Sequence, residues 1–104
     1  MIEETKIEYE KTVLIGLITQ FQDEEKATEY LDELEFLAYT AGGEVLKRFT
    51  QKMDTPNPKT FIGTGKMEEV RAYVDQYEIG TAIFDDELSP AQQKNIEKIL
   101  KCKV

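Results

Sequence analysis

The hydrophobic positions of the chain follow two kinds of strand pattern. Thr12–Thr19 is a continuous apolar run rich in β-branched residues, which predicts a strand buried on both faces, as in a parallel sheet. Thr81–Phe84 is a second, shorter buried strand. Glu44–Met53 alternates instead, which predicts a half-buried strand at the periphery of the sheet.

The segments between these strands have apolar residues at helical spacing. Asp23–Ala41 has acidic residues in its first turn, where the helix dipole favours them. A second helix is predicted from Gly65 or Lys66 to Glu78. A third begins at Ser89, because Ser-Pro-x-Gln is a capping box with proline at the first helical position. The apolar positions of the first helix are Ala27, Tyr30, Leu31, Leu34, Leu37, Ala38 and Ala41.

The order of the elements predicts the fold class. Asp54–Thr60 contains two prolines and is a loop, and Cys102–Val104 opens another strand. The pattern β-α-β-loop-α-β-α-β predicts an α/β fold with a small parallel β-sheet flanked by helices and right-handed crossovers. We expect an acidic leader over residues 1–11 and one domain over residues 12–104, cut from a longer protein.

Composition predicts a cytoplasmic protein whose cysteine is reduced. Cys102 is the single cysteine among 104 residues, so no internal disulfide forms. The N-terminus is acidic, unlike a signal peptide, and the longest apolar run is too short to span a bilayer. No histidine is present, which excludes His-dependent triads and histidine metal ligands.

Charge is distributed unevenly. The net charge of −8 argues against a nucleic-acid binder that ignores sequence. Residues 47–66 nevertheless carry five basic residues against Asp54 alone. An anionic partner would meet this stretch, although short windows also fluctuate this much by chance.

Gly63-Thr64-Gly65-Lys66 offers the parts of a phosphate-binding turn at a helix start. The turn does not match the P-loop motif, because Thr60 stands where the first glycine is required and Met67 replaces the residue whose hydroxyl binds Mg²⁺. It does not match the dinucleotide-binding motif either, because the third glycine is missing. Two interpretations remain: a helix start that glycine permits, or a turn whose N–H groups and Lys66 face an RNA phosphate.

Asp85-Asp86-Glu87 follows a buried strand, the position from which Walker-B and receiver domains present a carboxylate to Mg²⁺. The acidic pair that a receiver needs after its first strand is missing here, where Ile18-Thr19-Gln20 stands. Acidic residues near the start of the third helix are also favourable without a ligand. We predict no metal site, and expect Cys102 to be a small buried hydrophobe rather than a reactive thiol.

Two sequence segments, taken together and in their order along the chain, form a specific pattern. The first contains Thr-Gln-Lys, Pro-x-Pro and Ile-Gly-Thr-Gly-Lys, over residues 50–70, and the second reads Phe-Asp-Asp-Glu-Leu-Ser-Pro-Ala-Gln from Phe84. Together they resemble the N-terminal domain of the HflX family of ribosome-associated GTPases. The resemblance extends from Thr12 to Val104, with Lys101 at a position where the family has glycine.

The resemblance implies a partner and a role. HflX-type proteins continue with a helical hairpin and a G domain that hydrolyses GTP with Mg²⁺, and they bind the large ribosomal subunit to split or rescue stalled ribosomes. The fragment itself is then non-catalytic and without a cofactor, and its partners are ribosomal RNA, the hairpin and the G domain. The expected RNA-facing residues are Arg48, Lys52, Lys59, Gly63, Thr64, Gly65 and Lys66.

A second hypothesis is an unorthodox ATP or nucleotide site. Lys66, Asp85 and Asp86 all lie at the carboxyl ends of predicted strands, where α/β folds bind ligands.

Overall fold

The strand with the longest apolar run is the centre of the sheet. The computed structural model describes residues 9–104, and in it β1 (Glu10–Ile18) lies between β2 (Gly43–Lys52) and β3 (Thr81–Phe84). Both pairings are parallel. Residues 13–15 are completely buried, as expected for a central strand that is covered on both faces. The predicted parallel α/β fold is confirmed.

The two faces of the sheet are covered unequally. α1 (Glu24–Thr40) lies on one face, where the Leu31 side chain lies over Gly16 of β1, 3.4 Å from where a Cβ of that residue would be. α2 (Thr64–Tyr77) and α3 (Pro90–Leu100) pack together on the other face. The main core lies between them and the sheet; its fully buried members are Val13, Ile15, Ile62, Val70, Ala82 and Ile96.

The predicted edge strand and capping box are confirmed. Among the described strands β2 pairs only with β1, through a register containing one bulge between Thr12 and Val13. At the start of α3 the Ser89 hydroxyl accepts a hydrogen bond from the Gln92 N–H at 3.1 Å, and the Gln92 side chain accepts one from the Ser89 N–H at 2.9 Å. Local sequence signals thus fix both features.

Several element boundaries differ from the sequence prediction. β1 begins at Glu10, because Glu10 and Lys11 already pair with β2, so the sheet includes the last two residues of the predicted acidic leader. Residues 1–8 of that leader lie outside the described residues. α2 begins at Thr64, one residue early. The strand predicted at Cys102–Val104 is a single parallel bridge, between Lys103 and Thr81.

The apolar positions of α1 do not all reach the core. Ala27, Leu31 and Ala38 are buried against the sheet. Tyr30 and Leu37 remain 45% and 53% exposed. The apolar stripe of α1 is therefore wider than the part of the helix that packs against the described part of the sheet.

Candidate functional site

The loop after β2 is closed by its own hydrogen bonds. Asn57 and Phe61 exchange two backbone hydrogen bonds, at 2.9 and 2.8 Å. The Asn57 side-chain oxygen also accepts from the backbone N–H groups of Lys59 and Thr60, at 2.8 and 3.3 Å, which is the usual role of asparagine in a turn. The Pro-x-Pro segment is therefore a shaped turn that holds Lys59 in solvent.

Phe61 anchors this turn in the core. Its φ of 68° is unfavourable for a bulky residue, yet its side chain is almost fully buried. The ring packs edge-on against Phe84, with centroids 5.4 Å apart and planes at 87°. Burial of the ring against β3 thus offsets the backbone strain and fixes how the chain leaves the turn.

Side chains of α3 hold the turn from the other side. The Gln92 side-chain amide donates a hydrogen bond to the Asn57 carbonyl oxygen at 2.8 Å, while its own oxygen serves the capping box. Asn95, one helical turn later, donates to the Lys59 carbonyl oxygen at 3.2 Å. The Pro-x-Pro and Ser-Pro-Ala-Gln motifs are therefore joined in space, a contact that the sequence did not reveal.

The Gly63–Lys66 turn is fixed by β2. The Gly63 N–H donates to the Gln51 side-chain oxygen at 2.9 Å, so it is not free to meet a phosphate. Gly63 has φ −66° and caps α2 without a side-chain hydrogen bond. A Cβ at this position would lie 3.0 Å from the Gln51 amide nitrogen. Close approach to Gln51, rather than a special dihedral angle, favours glycine here.

Lys66 already has a partner. Its ammonium lies 2.8 Å from the Glu69 carboxylate, one turn along α2. This hydrogen bond lowers the pKa of Glu69. Thr64 and Gly65 are exposed at the helix start.

Arg48 is held on the α1 face of the sheet. Its guanidinium lies 2.7 Å from Asp32 and 3.0 Å from Glu35. Partial burial opposes its charge, but the hydrogen bonds to both carboxylates outweigh burial and raise its pKa. Arg48 therefore fastens β2 to α1 and faces away from the helix that carries Lys66.

Lys66 lies instead in a groove between β2 and α2. The groove has a volume of about 490 Å³, and Lys47, Tyr73 and Gln76 line it together with Lys66. The Lys47 ammonium lies 5.8 Å from the centroid of the Phe49 ring, which forms a T-shaped pair with the Tyr73 ring. Lys47 belongs to the basic stretch of the sequence but was not among the expected contacts.

Lys52 and Lys59 occupy other places. Lys52 lines a cavity of about 430 Å³ at the carboxyl end of β1 and β2, beside Asp23, Glu24 and Asp54. Lys59 lies on the turn held by α3. The structure thus distributes the predicted cations over the carboxyl edge of the sheet, the turn, the β2–α2 groove and the α1 face, rather than in one patch.

The alternative nucleotide site is not supported by this geometry. Lys66 lines the β2–α2 groove, Asp85 lines a cavity against α1, and Asp86 lines a third cavity beside Leu88. Burial raises the pKa of Asp85, and the neighbouring Asp86 raises it further. One Asp85 oxygen is buried without a hydrogen-bond partner among the described residues.

Metal and thiol chemistry find no support in residues 9–104. Over that range no three acidic or cysteine side chains cluster in a way that could hold a metal ion. Cys102 is half-buried and free, and burial raises the pKa of its thiol, which lowers its reactivity. None of the described helices is both long and apolar enough to cross a membrane.

Sequence comparison matches most of the chain to one family. The family described as GTP-binding GTPase N-terminal matches residues 28–104, a range that contains most of α1 and every motif of the turn.

Curated relatives match over nearly the full chain. GTPase HflX of Flavobacterium psychrophilum is 62% identical over 100% of this chain and 25% of its own length. GTPase HflX of Caldanaerobacter subterraneus subsp. tengcongensis is 38% identical over 99% of this chain and 23% of its own. GTPase HflX of Escherichia coli K12 is 36% identical over 91% and 22%. The chain spans about a quarter of the length of the curated relatives it matches.

Proposed function

We propose that this chain, which belongs to the GTP-binding GTPase N-terminal family, is a ribosome-associating module of a longer GTPase of the HflX type. In this proposal the module faces RNA of the large subunit and does not itself catalyse a reaction. GTP hydrolysis with Mg²⁺ belongs to a G domain elsewhere in the parent protein, which acts in the cytoplasm to split or rescue ribosomes.

The observation that carries the proposal is the hydrogen-bonded turn at residues 57–61. Asn57 closes it internally, and Gln92 and Asn95 hold it from α3. It displays Lys59 on an acidic molecule, five residues before α2 begins at Thr64. The backbone of a hydrogen-bonded turn loses little conformational entropy on binding, which suits recognition of a fixed phosphate.

The β2–α2 groove supplies a second contact. Lys47 and Lys66 lie on it beside Tyr73, and basic groups next to an aromatic ring suit an RNA backbone with an adjacent base. Lys66 must then exchange its bond with Glu69 for a phosphate. Arg48 contributes least, because two carboxylates of α1 already neutralise it.

Sedimentation of the full-length protein with large ribosomal subunits tests the proposal. The variant replaces Lys52, Lys59 and Lys66 by alanine. The control replaces Lys26, Lys94 and Lys98, which are exposed on α1 and α3 and give the same change of charge. We expect the first variant alone to lose binding at moderate salt, and each lost phosphate contact to reduce the salt slope by about one unit. Equal binding by both triple variants would reject these contacts.

A further inference from the structure

Among the described residues that line the β2–α2 groove, Glu69 is the one carboxylate, and two lysines act on it. Its side chain accepts a hydrogen bond from the Lys66 ammonium at 2.8 Å. This hydrogen bond is the main cause of the lowered pKa of Glu69, and the charge of Lys47, on the opposite wall of the groove, lowers it further. Two cations that share one anionic group are the arrangement that also holds a phosphate.

The two members of the Lys66–Glu69 ion pair differ in exposure. The Lys66 side chain is 25% exposed, whereas the Glu69 side chain is 61% exposed. Burial of the aliphatic stem of Lys66 holds its ammonium at the groove. The Glu69 carboxylate can rotate into solvent at little cost, because an exposed ion pair contributes little free energy. The pair therefore opens most readily by movement of Glu69, which leaves the Lys66 ammonium in place.

The groove also contains the other groups that a phosphate needs. Among residues 9–104 Lys47 forms no ion pair, and its ammonium lies near the Phe49 ring. Thr50 and Gln76 add a hydroxyl and an amide to the lining, and both groups donate to phosphate oxygens in protein–nucleic acid contacts. With Glu69 turned away, two positive charges face a volume of about 490 Å³, which is within the range of ligand sites.

We propose that Lys47 and Lys66 form a subsite for one RNA phosphodiester, and that Glu69 is an intramolecular competitor that occupies this subsite until RNA binds. The inference rests on the proposed function, to which it adds the place of a phosphate and a residue that limits affinity. One charged pair is broken for each one that forms, so the net gain at this subsite is small. Binding through the groove alone is therefore weak and reversible.

Removal of the carboxylate without a change of size measures the competition. Glu69→Gln frees both lysines. Glu68→Gln is the matched control, because it removes the same charge from the same helix and also breaks an i,i+3 ion pair, with Arg71 at 3.0 Å. Glu68 does not line the groove. Both variants are made in the full-length protein, and their affinity for large ribosomal subunits is measured by sedimentation over a series of salt concentrations.

We expect Glu69→Gln to bind large subunits about two- to fivefold more tightly than the native protein at low salt, which corresponds to the contribution of one exposed ion pair. Its salt slope should be steeper by about one unit, because the phosphate no longer replaces an anion. Glu68→Gln should keep the native slope. Equal gains and equal slopes in the two variants would overturn the proposal, since they would show an effect of net charge alone.

A double-mutant comparison tests whether Glu69 acts through the two lysines. In a protein that also carries Lys47→Met and Lys66→Met, Glu69→Gln should bring no gain beyond that of Glu68→Gln, because no lysine of the groove remains to be freed. A gain that persists in this background would overturn the assignment of the subsite to Lys47 and Lys66.

Single-stranded polyuridylate separates this inference from the proposed function. It offers RNA phosphates without a ribosome, and its binding to the same full-length variants is measured by fluorescence anisotropy. Tighter binding of polyuridylate by Glu69→Gln than by Glu68→Gln, together with no binding of large subunits by any variant, would reject the proposed function and support the subsite. If Glu69→Gln exceeds Glu68→Gln with neither probe, the subsite is rejected, whatever the affinity of the native protein for large subunits.

Discussion

The side chain of Gln92 and the backbone of Asn57, 35 residues apart in sequence, are joined by a hydrogen bond of 2.8 Å. The same Gln92 side chain accepts the Ser89 N–H that completes the capping box of α3. One almost fully buried amide therefore both starts a helix and holds the turn that displays Lys59. Motifs that identify the family thus stabilise the shape of the candidate site.

Replacing Gln92 by alanine should destabilise the domain by about 1–3 kcal/mol, because it removes the Gln92 half of the capping box and one of the two hydrogen bonds that the Asn57 carbonyl accepts. Urea unfolding followed by circular dichroism measures this difference. Gln93→Ala is the control, since Gln93 is exposed and, within the described part of the chain, its side chain bonds only to Glu97 of the same helix, and it should change stability by less than about 0.5 kcal/mol. Equal effects would disprove the structural role of Gln92.

The two glycines before Lys66 should respond to alanine in opposite directions. At Gly63 a Cβ would lie 3.0 Å from the Gln51 amide nitrogen and disturb the hydrogen bond to the Gly63 N–H, so we expect a loss of about 1 kcal/mol. At Gly65 an added Cβ would have open space around it, with no atom of another part of the described chain within 4 Å, and alanine in the first turn of α2 should add about 0.5 kcal/mol. Thermal melts of the two variants provide the comparison, and a loss at both positions would contradict it.

The fold could be predicted because its signals are local. An unbroken apolar run predicts a central strand whatever its neighbours, and Ser89 with Gln92 specifies a helix start within four residues. Boundaries were less accurate, since β1 begins at Glu10 only because the backbone there finds partners in β2. Pairing partners distant in sequence leave no local signal.

The candidate site could be predicted only in part, because charge counting does not show where a charge points. Lys47 and Arg48 are adjacent in sequence but face opposite sides of β2. Arg48 is neutralised by Glu35, thirteen residues earlier, and by Asp32. The sequence therefore shows correctly where basic residues are concentrated. Which of these residues remain available to bind a ligand depends on the ion pairs that they form in the folded structure.

Arg48→Met should weaken the attachment of α1 to β2 and cost about 1 kcal/mol at low salt. Arg71→Met is the matched control, because among residues 9–104 Arg71 forms an ion pair only with Glu68, within α2, and an exposed local pair of this kind should contribute less. Unfolding in low salt and in 1 M NaCl measures both variants. The difference between them should shrink at high salt as screening weakens the ion pairs. A larger loss for Arg71 would contradict this assignment.

Asp85 should make stability depend on pH. Burial and the neighbouring Asp86 raise its pKa in the folded state above the ordinary value of 3.8, so the folded chain holds its proton more tightly than the unfolded chain. The free energy of unfolding should therefore fall as pH rises from below 3.8 through the folded pKa. Asp85→Asn should remove this decline and be more stable than the native chain at pH 7, with little difference below the unfolded pKa. Glu87→Gln, at an exposed position, is the control in urea titrations across that range, and an unchanged pH profile in Asp85→Asn would refute the assignment.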